Sequence, residues 1–113
     1  MAAMKTSARW NIKNNLKNVS LEVALYRRGD SSPRFEDLSP GETKIYRSLG
    51  NDGRIELRIQ KPHRYRVEFG KEDFPGWVEL NPNDQKFSTL MFPNGGEHKN
   101  DNEERAVTIH PPE

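Results

Sequence analysis

Residues 54–69 read RIELRIQKPHRYRVEF, and apolar and polar side chains alternate along this stretch. The apolar positions are Ile55, Leu57, Ile59, Tyr65, Val67 and Phe69. A period of two places successive side chains on opposite faces of a β-sheet. The stretch therefore predicts a hairpin of two strands with a turn at Lys61-Pro62-His63. Its apolar face needs a second layer of structure to cover it.

The charges on the predicted hairpin indicate a register. Unshifted pairing would place Arg58 opposite Arg66 and Glu56 opposite Glu68, and like charges directly opposite each other are unfavourable. A shift of two residues keeps the apolar face and pairs Glu56 with Arg66, or Arg58 with Glu68. We predict one of these two registers.

Short strand-like segments fill much of the remaining chain, separated by Gly, Pro, Asn and Asp turns. One further strand is predicted to begin near Trp10. Others are predicted at residues 35–38, 43–49, 77–80, 86–92 and 106–110. We expect Ile45 with Tyr46 or Leu49, and Phe87 with Leu90 or Phe92, to face inward. About eight short strands predict an all-β fold, an antiparallel β-sandwich of immunoglobulin-like or jelly-roll-like type, with a small barrel as the alternative.

Residues 19–28 fit two patterns. Val19, Leu21, Val23 and Leu25 alternate as in a strand, but the apolar spacing from Leu16 onward also suits a helix. The asparagines upstream are poor helix formers, so we favour a strand.

Two turns stand out by their residue types. In Ser39-Pro40-Gly41-Glu42, Pro40 presets the first central position of a type II turn and Gly41 supplies the positive φ at the second. Asn51-Asp52-Gly53 predicts a second hairpin turn, between the strand at 43–49 and the strand beginning at Arg54.

The composition indicates one folded domain with a small core. Only 32% of the 113 residues are hydrophobic, but the net charge of +1 lacks the excess that accompanies disorder. We expect residues 1–113 to form a single domain, with a frayed N-terminus at 1–8 and a mobile acidic loop at 93–105.

Several functional classes are disfavoured by composition. Lys+Arg 18 nearly balances Asp+Glu 17, so we do not expect a nucleic-acid partner. The absence of cysteine excludes disulfides and thiolate metal sites. No apolar run approaches the roughly 20 residues of a membrane span. The start MAAMKTSARW has no apolar core of a signal peptide, so we expect a cytoplasmic location.

A basic strip is the first candidate site. Its members are Arg54, Arg58, Arg64, Arg66, Lys61 and His63, which lie on the polar face of the predicted hairpin or at its turn. Guanidinium groups suit phosphate, sulfate and carboxylate ligands. The alternative is a solvated strand face whose arginines pair with neighbouring glutamates.

The corner Phe74-Pro75-Gly76-Trp77 is the second candidate. An exposed Trp77 beside Phe74 would stack on a sugar ring or anchor a partner protein, and a buried Trp77 would close one end of the sandwich. Trp10 has the same two interpretations.

Neither a metal site nor a catalytic constellation can be assigned from spacing. Residues 100–104 are rich in oxygen donors that suit calcium, but their spacing does not match an EF-hand loop, so we favour a solvated loop. His63, His98 and His110 are not spaced to share a metal on one element. We therefore expect no cofactor and no enzyme activity.

The favoured function is a non-catalytic binding or interaction module. It would recognise a protein partner or an anionic or glycan ligand through its loops or its arginine-rich strand face. The alternatives are an assembly subunit that forms homo-oligomers through strand edges and a small hydrolase with a carboxylate pair.

Overall fold

The structure, a computed structural model, describes residues 8–26, 34–48, 54–70, 77–93 and 104–112. These residues form nine strands and no helix, so they contain no helical segment that could cross a membrane. In chain order the strands are β1 (Ala8–Asn14), β2 (Leu21–Tyr26), β3 (Phe35–Leu38), β4 (Thr43–Ser48), β5 (Arg54–Gln60), β6 (Arg66–Phe69), β7 (Val78–Leu80), β8 (Phe87–Pro93) and β9 (Glu104–His110).

The strands form two sheets that pack against each other. The four-stranded sheet has the order β4-β1-β9-β6, and the five-stranded sheet has the order β3-β2-β5-β8-β7. Neighbouring strands run antiparallel, except for β1 and β9, which are far apart in sequence and pair in parallel. This architecture confirms the predicted all-β sandwich.

The core lies between the two sheets. Trp10 of β1 and Phe92 of β8 meet edge to face across it, with ring centroids 6.1 Å apart. Burial of one large apolar side chain contributes roughly 1.5–3 kcal/mol. The other large residues that are fully buried here are Ile12, Leu21, Val23, Leu38, Ile55, Leu57, Ile59, Leu90, Val107 and Ile109.

The predicted hairpin of β5 and β6 does not form. β5 lies in the five-stranded sheet between β2 and β8, whereas β6 lies at the edge of the other sheet beside β9. Both registers predicted for Glu56 and Arg58 are therefore wrong. Alternation indicates which side chains of a strand share a face, but it does not identify the strand that pairs with it. β5 is an interior strand of its sheet, where Val23 of β2 and Leu90 of β8 flank Leu57 on either side.

The turn at 39–42 is confirmed, and it carries the chain from one sheet to the other. Gly41 has φ +81°, and the Glu42 amide donates to the Ser39 carbonyl at 3.0 Å. The hairpin predicted around residues 51–53 is wrong in its pairing, because β4 pairs with β1 and β5 belongs to the opposite sheet. Residues 51–53 themselves lie outside the described part of the chain.

Two inward predictions are wrong because the register places the side chains on outer faces. Ile45 lies opposite Asn11 and is 53% exposed, whereas Tyr46 lies opposite Trp10 and is buried. Phe87 lies opposite Gln60 on the outer face of β8, out of phase with the buried Leu90 and Phe92. Leu49 lies outside the described residues.

Residues 21–26 form strand β2, so the helical alternative for 19–28 is excluded there. The predicted acidic loop is shorter than expected, because β8 extends to Pro93 and β9 begins at Glu104, which pairs with Arg9. The remainder of that loop, residues 94–103, lies outside the described chain, and it includes four of the five oxygen-donor residues considered for calcium.

Candidate functional site

The predicted basic strip is divided between the two sheets. Arg54 and Arg58 lie on the outer face of β5, in the five-stranded sheet. Arg66 lies on β6 of the four-stranded sheet, and the exposed Arg64 lies in the connection between the two strands. Outer faces of a sandwich point in opposite directions, so these arginines do not form one binding surface.

Lys61 forms hydrogen bonds to the backbone of residues 82–86. Its Nζ donates to the Pro82 carbonyl at 3.0 Å and to the Asp84 carbonyl. Its backbone amide donates to the Lys86 carbonyl at 2.8 Å. The Asp84 carboxylate accepts the backbone amides of Lys86 and Phe87, which lowers the pKa of Asp84. These bonds fix the turn that precedes Phe87.

Arg58 occupies an aromatic clamp on the outer face of the five-stranded sheet. Its guanidinium carbon lies 3.8 Å from the Phe35 ring centroid and 4.6 Å from that of Phe87. Nη2 donates to Glu22 Oε1 at 3.0 Å, from the residue directly opposite on β2. Nε is buried and has no hydrogen-bond partner among the described residues. Cation–π contacts of this kind contribute roughly 0.5–2 kcal/mol.

Arg54 repeats this arrangement four residues earlier on the same strand. Its guanidinium carbon lies 4.0 Å from the Tyr26 ring centroid, and its Nε donates to Glu56 Oε2 at 3.0 Å. Glu56 is only 5% exposed although it is on the outer face. Burial, followed by the charge of Glu56, raises the pKa of Tyr26. Two similar ion pairs therefore flank the middle of β5.

A cleft of about 330 Å³ lies beside Arg58. It is lined by Asn18, Val19, Ser20, Glu22, Asp37, Arg58, Gln60, His63 and Phe87. Of the eight residues predicted from sequence as site residues, Arg58 and His63 reach this cleft. Its carboxylates, amides and aromatic ring were missed because they come from different strands, and only the sheet order brings them together.

Asn14 supports the wall of the cleft from the interior. Its side-chain amide donates to the carbonyls of Val19 at 2.8 Å and Leu38 at 2.9 Å, and its Oδ1 accepts the Leu16 amide at 3.0 Å. Asn14 is fully buried. Its position in phase with Trp10 and Ile12 is the sequence signal that identifies it as a polar residue inside the core.

The aromatic corner is separate from the cleft. Trp77 is 37% exposed, and its ring centroid lies 6.4 Å from that of the core residue Phe92. Phe92 and the cleft residue Phe87 are at opposite ends of β8, about 17 Å apart along the strand. Trp77 therefore packs against the opposite end of the sandwich, and Phe74 lies outside the described residues.

A second polar cluster lies on the outer face of the four-stranded sheet. His110 Nε2 lies 2.5 Å from Glu68 Oε1, and His110 Nδ1 lies 2.9 Å from Asn15 Nδ2. The Asn15 amide donates to Nδ1, so a neutral His110 carries its proton on Nε2. The hydrogen bond from His110 lowers the pKa of Glu68. Asn15 is not a nucleophile, and the cluster orients the imidazole without forming a catalytic triad.

No group of three or more histidine or acidic side chains within the described ranges is placed to hold a metal ion. Comparison with known proteins matches no protein-family model, no curated protein and no solved structure. The described residues define a β-sandwich with a polar cleft on its five-stranded sheet.

Proposed function

We propose that this chain is a non-catalytic binding module whose ligand site is the cleft beside Arg58. The observation that carries this proposal is the clamped guanidinium of Arg58, which Phe35 and Phe87 hold at the cleft wall. A donor that is already oriented loses little conformational entropy when a ligand binds. The cleft volume lies at the lower end of the range for ligand pockets, which suits a small ligand or one exposed group of a larger partner.

The supports of the cleft favour a preorganised site. The buried Asn14 side chain fixes the Val19 carbonyl on one wall. On another wall, the backbone amide of Phe87 donates to Asp84 Oδ1 at 3.1 Å. Rigid placement of recognition groups by the scaffold is what a binding site requires.

Hydrolysis by a carboxylate pair is the second candidate function. Glu22 and Asp37 lie directly opposite each other on β2 and β3, and both line the cleft together with His63. Two carboxylates beside a bound substrate are the basic requirement for glycoside hydrolysis. Binding is preferred because Glu22 already accepts a hydrogen bond from Arg58.

Self-association through strand edges receives less support. β4 is the longest edge strand described, with six residues. Lys44 and Arg47 lie on β4, and antiparallel pairing of two β4 strands would bring these like charges near each other.

A ligand screen followed by amide chemical shifts in NMR spectra tests the proposed function. The screen contains saccharides, inorganic phosphate, nucleotides and short peptides. We expect at least one compound to shift the amides of residues 18–22 and 58–63, and Arg58→Met to weaken that binding. Arg54→Met is the control, because Arg54 lies on the same strand and face and also pairs with a glutamate, but it is outside the cleft lining. A response that is equal in both variants, or no response at the cleft, would contradict the proposal.

A further inference from the structure

The cleft is lined by both hydrogen-bond donors and acceptors, so a ligand that matches it both donates and accepts hydrogen bonds. Glu22 and Asp37 accept when ionised, whereas Arg58 only donates. Asn18, Ser20 and Gln60 can do both. A phosphate would only accept and an ammonium group would only donate, so each would leave part of this lining unmatched. A hydroxyl group can satisfy both kinds of partner.

The charges of the lining side chains disfavour an anionic ligand. The ion pair of Arg58 with Glu22, at 3.0 Å, compensates the guanidinium charge locally. Asp37 and His63 are the remaining ionisable groups among the lining residues. The pair therefore offers no unbalanced positive charge to an anion, unlike the basic strip predicted from the sequence.

Apolar contact is available beside these polar groups. Phe87 and Val19 contribute to the lining, and Phe87 is half-buried with its backbone fixed by Asp84. A ligand with hydroxyl groups on its rim and C–H groups on its ring faces would match an aromatic side chain among hydrogen-bonding groups.

We propose that the cleft binds a neutral saccharide, held by Arg58, Glu22, Asp37 and Gln60 through its hydroxyl groups and by Phe87 through its C–H groups. This inference rests on the proposed function and gives its ligand a chemical class. Glu22 and Asp37 accept from hydroxyls of the sugar, and Arg58 donates to a hydroxyl or ring oxygen. The sugars of a glycoprotein and those of a polysaccharide share this chemistry.

Titration of the full chain with defined probes tests the saccharide class. The neutral probes are maltose, cellobiose, lactose and N,N′-diacetylchitobiose, and the charged probes are a heparin disaccharide and trilysine. We expect at least one neutral disaccharide to shift the amides of Asn18, Ser20 and Gln60. Loss of one charge-assisted hydrogen bond in Arg58→Met should weaken that binding by about tenfold or more.

Two further variants separate a binding role from a folding role. Gln60→Ala changes an exposed side chain, so it should weaken saccharide binding while the thermal midpoint stays near that of the wild type. Arg54→Met should leave the saccharide dissociation constant unchanged, because Arg54 is outside the cleft lining. Equal weakening by Arg54→Met and Arg58→Met would overturn the inference.

The charged probes distinguish failure of this inference from failure of the proposed function. Binding of the heparin disaccharide or trilysine at the cleft, with no response to any neutral disaccharide, would overturn the saccharide class and leave a binding module. If no probe here and no compound in the broader screen shifts the cleft amides, both the saccharide class and the proposed binding function are overturned. Cleavage of a bound disaccharide into monosaccharides would support saccharide recognition and contradict a non-catalytic module.

Discussion

The side-chain amide of Asn14 donates a hydrogen bond to the carbonyl oxygen of Leu38 at 2.9 Å, and this bond links the two sheets. Asn14 ends β1 of the four-stranded sheet, whereas Leu38 ends β3 of the five-stranded sheet. The backbone of Asn14 is also bonded, to Gly41 and Glu42 in the turn that follows β3. One buried polar residue therefore fixes the crossing between the sheets and the wall of the cleft.

Asn14→Ala should lower the free energy of unfolding by about 2–4 kcal/mol, because it leaves the carbonyls of Val19 and Leu38 and the amide of Leu16 without their side-chain partner. Urea unfolding measures this change. The control is Lys13→Ala, one residue earlier on the exposed face of β1, which should change stability by less than about 0.5 kcal/mol. An equal effect of the two variants would show that the Asn14 bonds add nothing.

The two arginines of β5 should differ in their contribution to stability. Arg54→Met leaves Glu56, which is 5% exposed, without its ion-pair partner, and we expect a loss of about 2–3 kcal/mol. Arg58→Met leaves Glu22, whose side chain is 29% exposed, and the loss should be nearer 1 kcal/mol. Thermal unfolding measures both. Adding Glu56→Gln to Arg54→Met should recover part of the loss, and no recovery would contradict this account.

Two tyrosines should respond in opposite directions to removal of the hydroxyl group. Tyr46 is buried, and its hydroxyl has no hydrogen-bond partner among the described residues, so Tyr46→Phe should raise the free energy of unfolding by up to about 1 kcal/mol. Tyr65 forms a side-chain hydrogen bond with Ser88, so Tyr65→Phe should lower stability by about 1 kcal/mol.

Ultraviolet titration gives an independent test of the Tyr46 environment. Burial raises the pKa of Tyr46 to about 12, and the charges of Glu36 and Glu42 act in the same direction. The absorbance change lost in Tyr46→Phe should therefore be one that occurs near pH 12. Loss of a component that titrates near the ordinary tyrosine pKa of 10.0 would contradict burial of this hydroxyl.

The Glu68–His110 pair should give an acid-dependent contribution to stability. The hydrogen bond from His110 lowers the pKa of Glu68 below the ordinary glutamate value of 4.5. A carboxylate with a lowered folded pKa stabilises the protein above its unfolded pKa, and that stabilisation is lost as pH falls through the folded pKa. Carboxyl-carbon NMR titration should show the Glu68 midpoint rising in His110→Gln. An unchanged midpoint would contradict the assigned cause.

The cytoplasmic location stays a prediction, as does the absence of a nucleic-acid partner.

The outer faces of the sheets show how a functional residue can be hidden from sequence reasoning. The strand pattern predicts that Phe87 faces the core, yet the register with Gln60 turns it outward onto Arg58. The identity of an aromatic residue does not indicate which parity of a strand is buried, and the surrounding Ser88 and Thr89 provide no contrast to decide it.

Alternation by itself determined the buried face of β5. The inward positions of Ile55, Leu57 and Ile59 followed from it, as did the turn at Gly41, because side-chain parity and a positive φ are local properties of the chain. Only the tertiary structure decided which strands are neighbours. It separated Arg58 from Arg66 and joined Arg58 to Glu22 and Phe35, because strand pairing depends on packing between segments far apart in sequence.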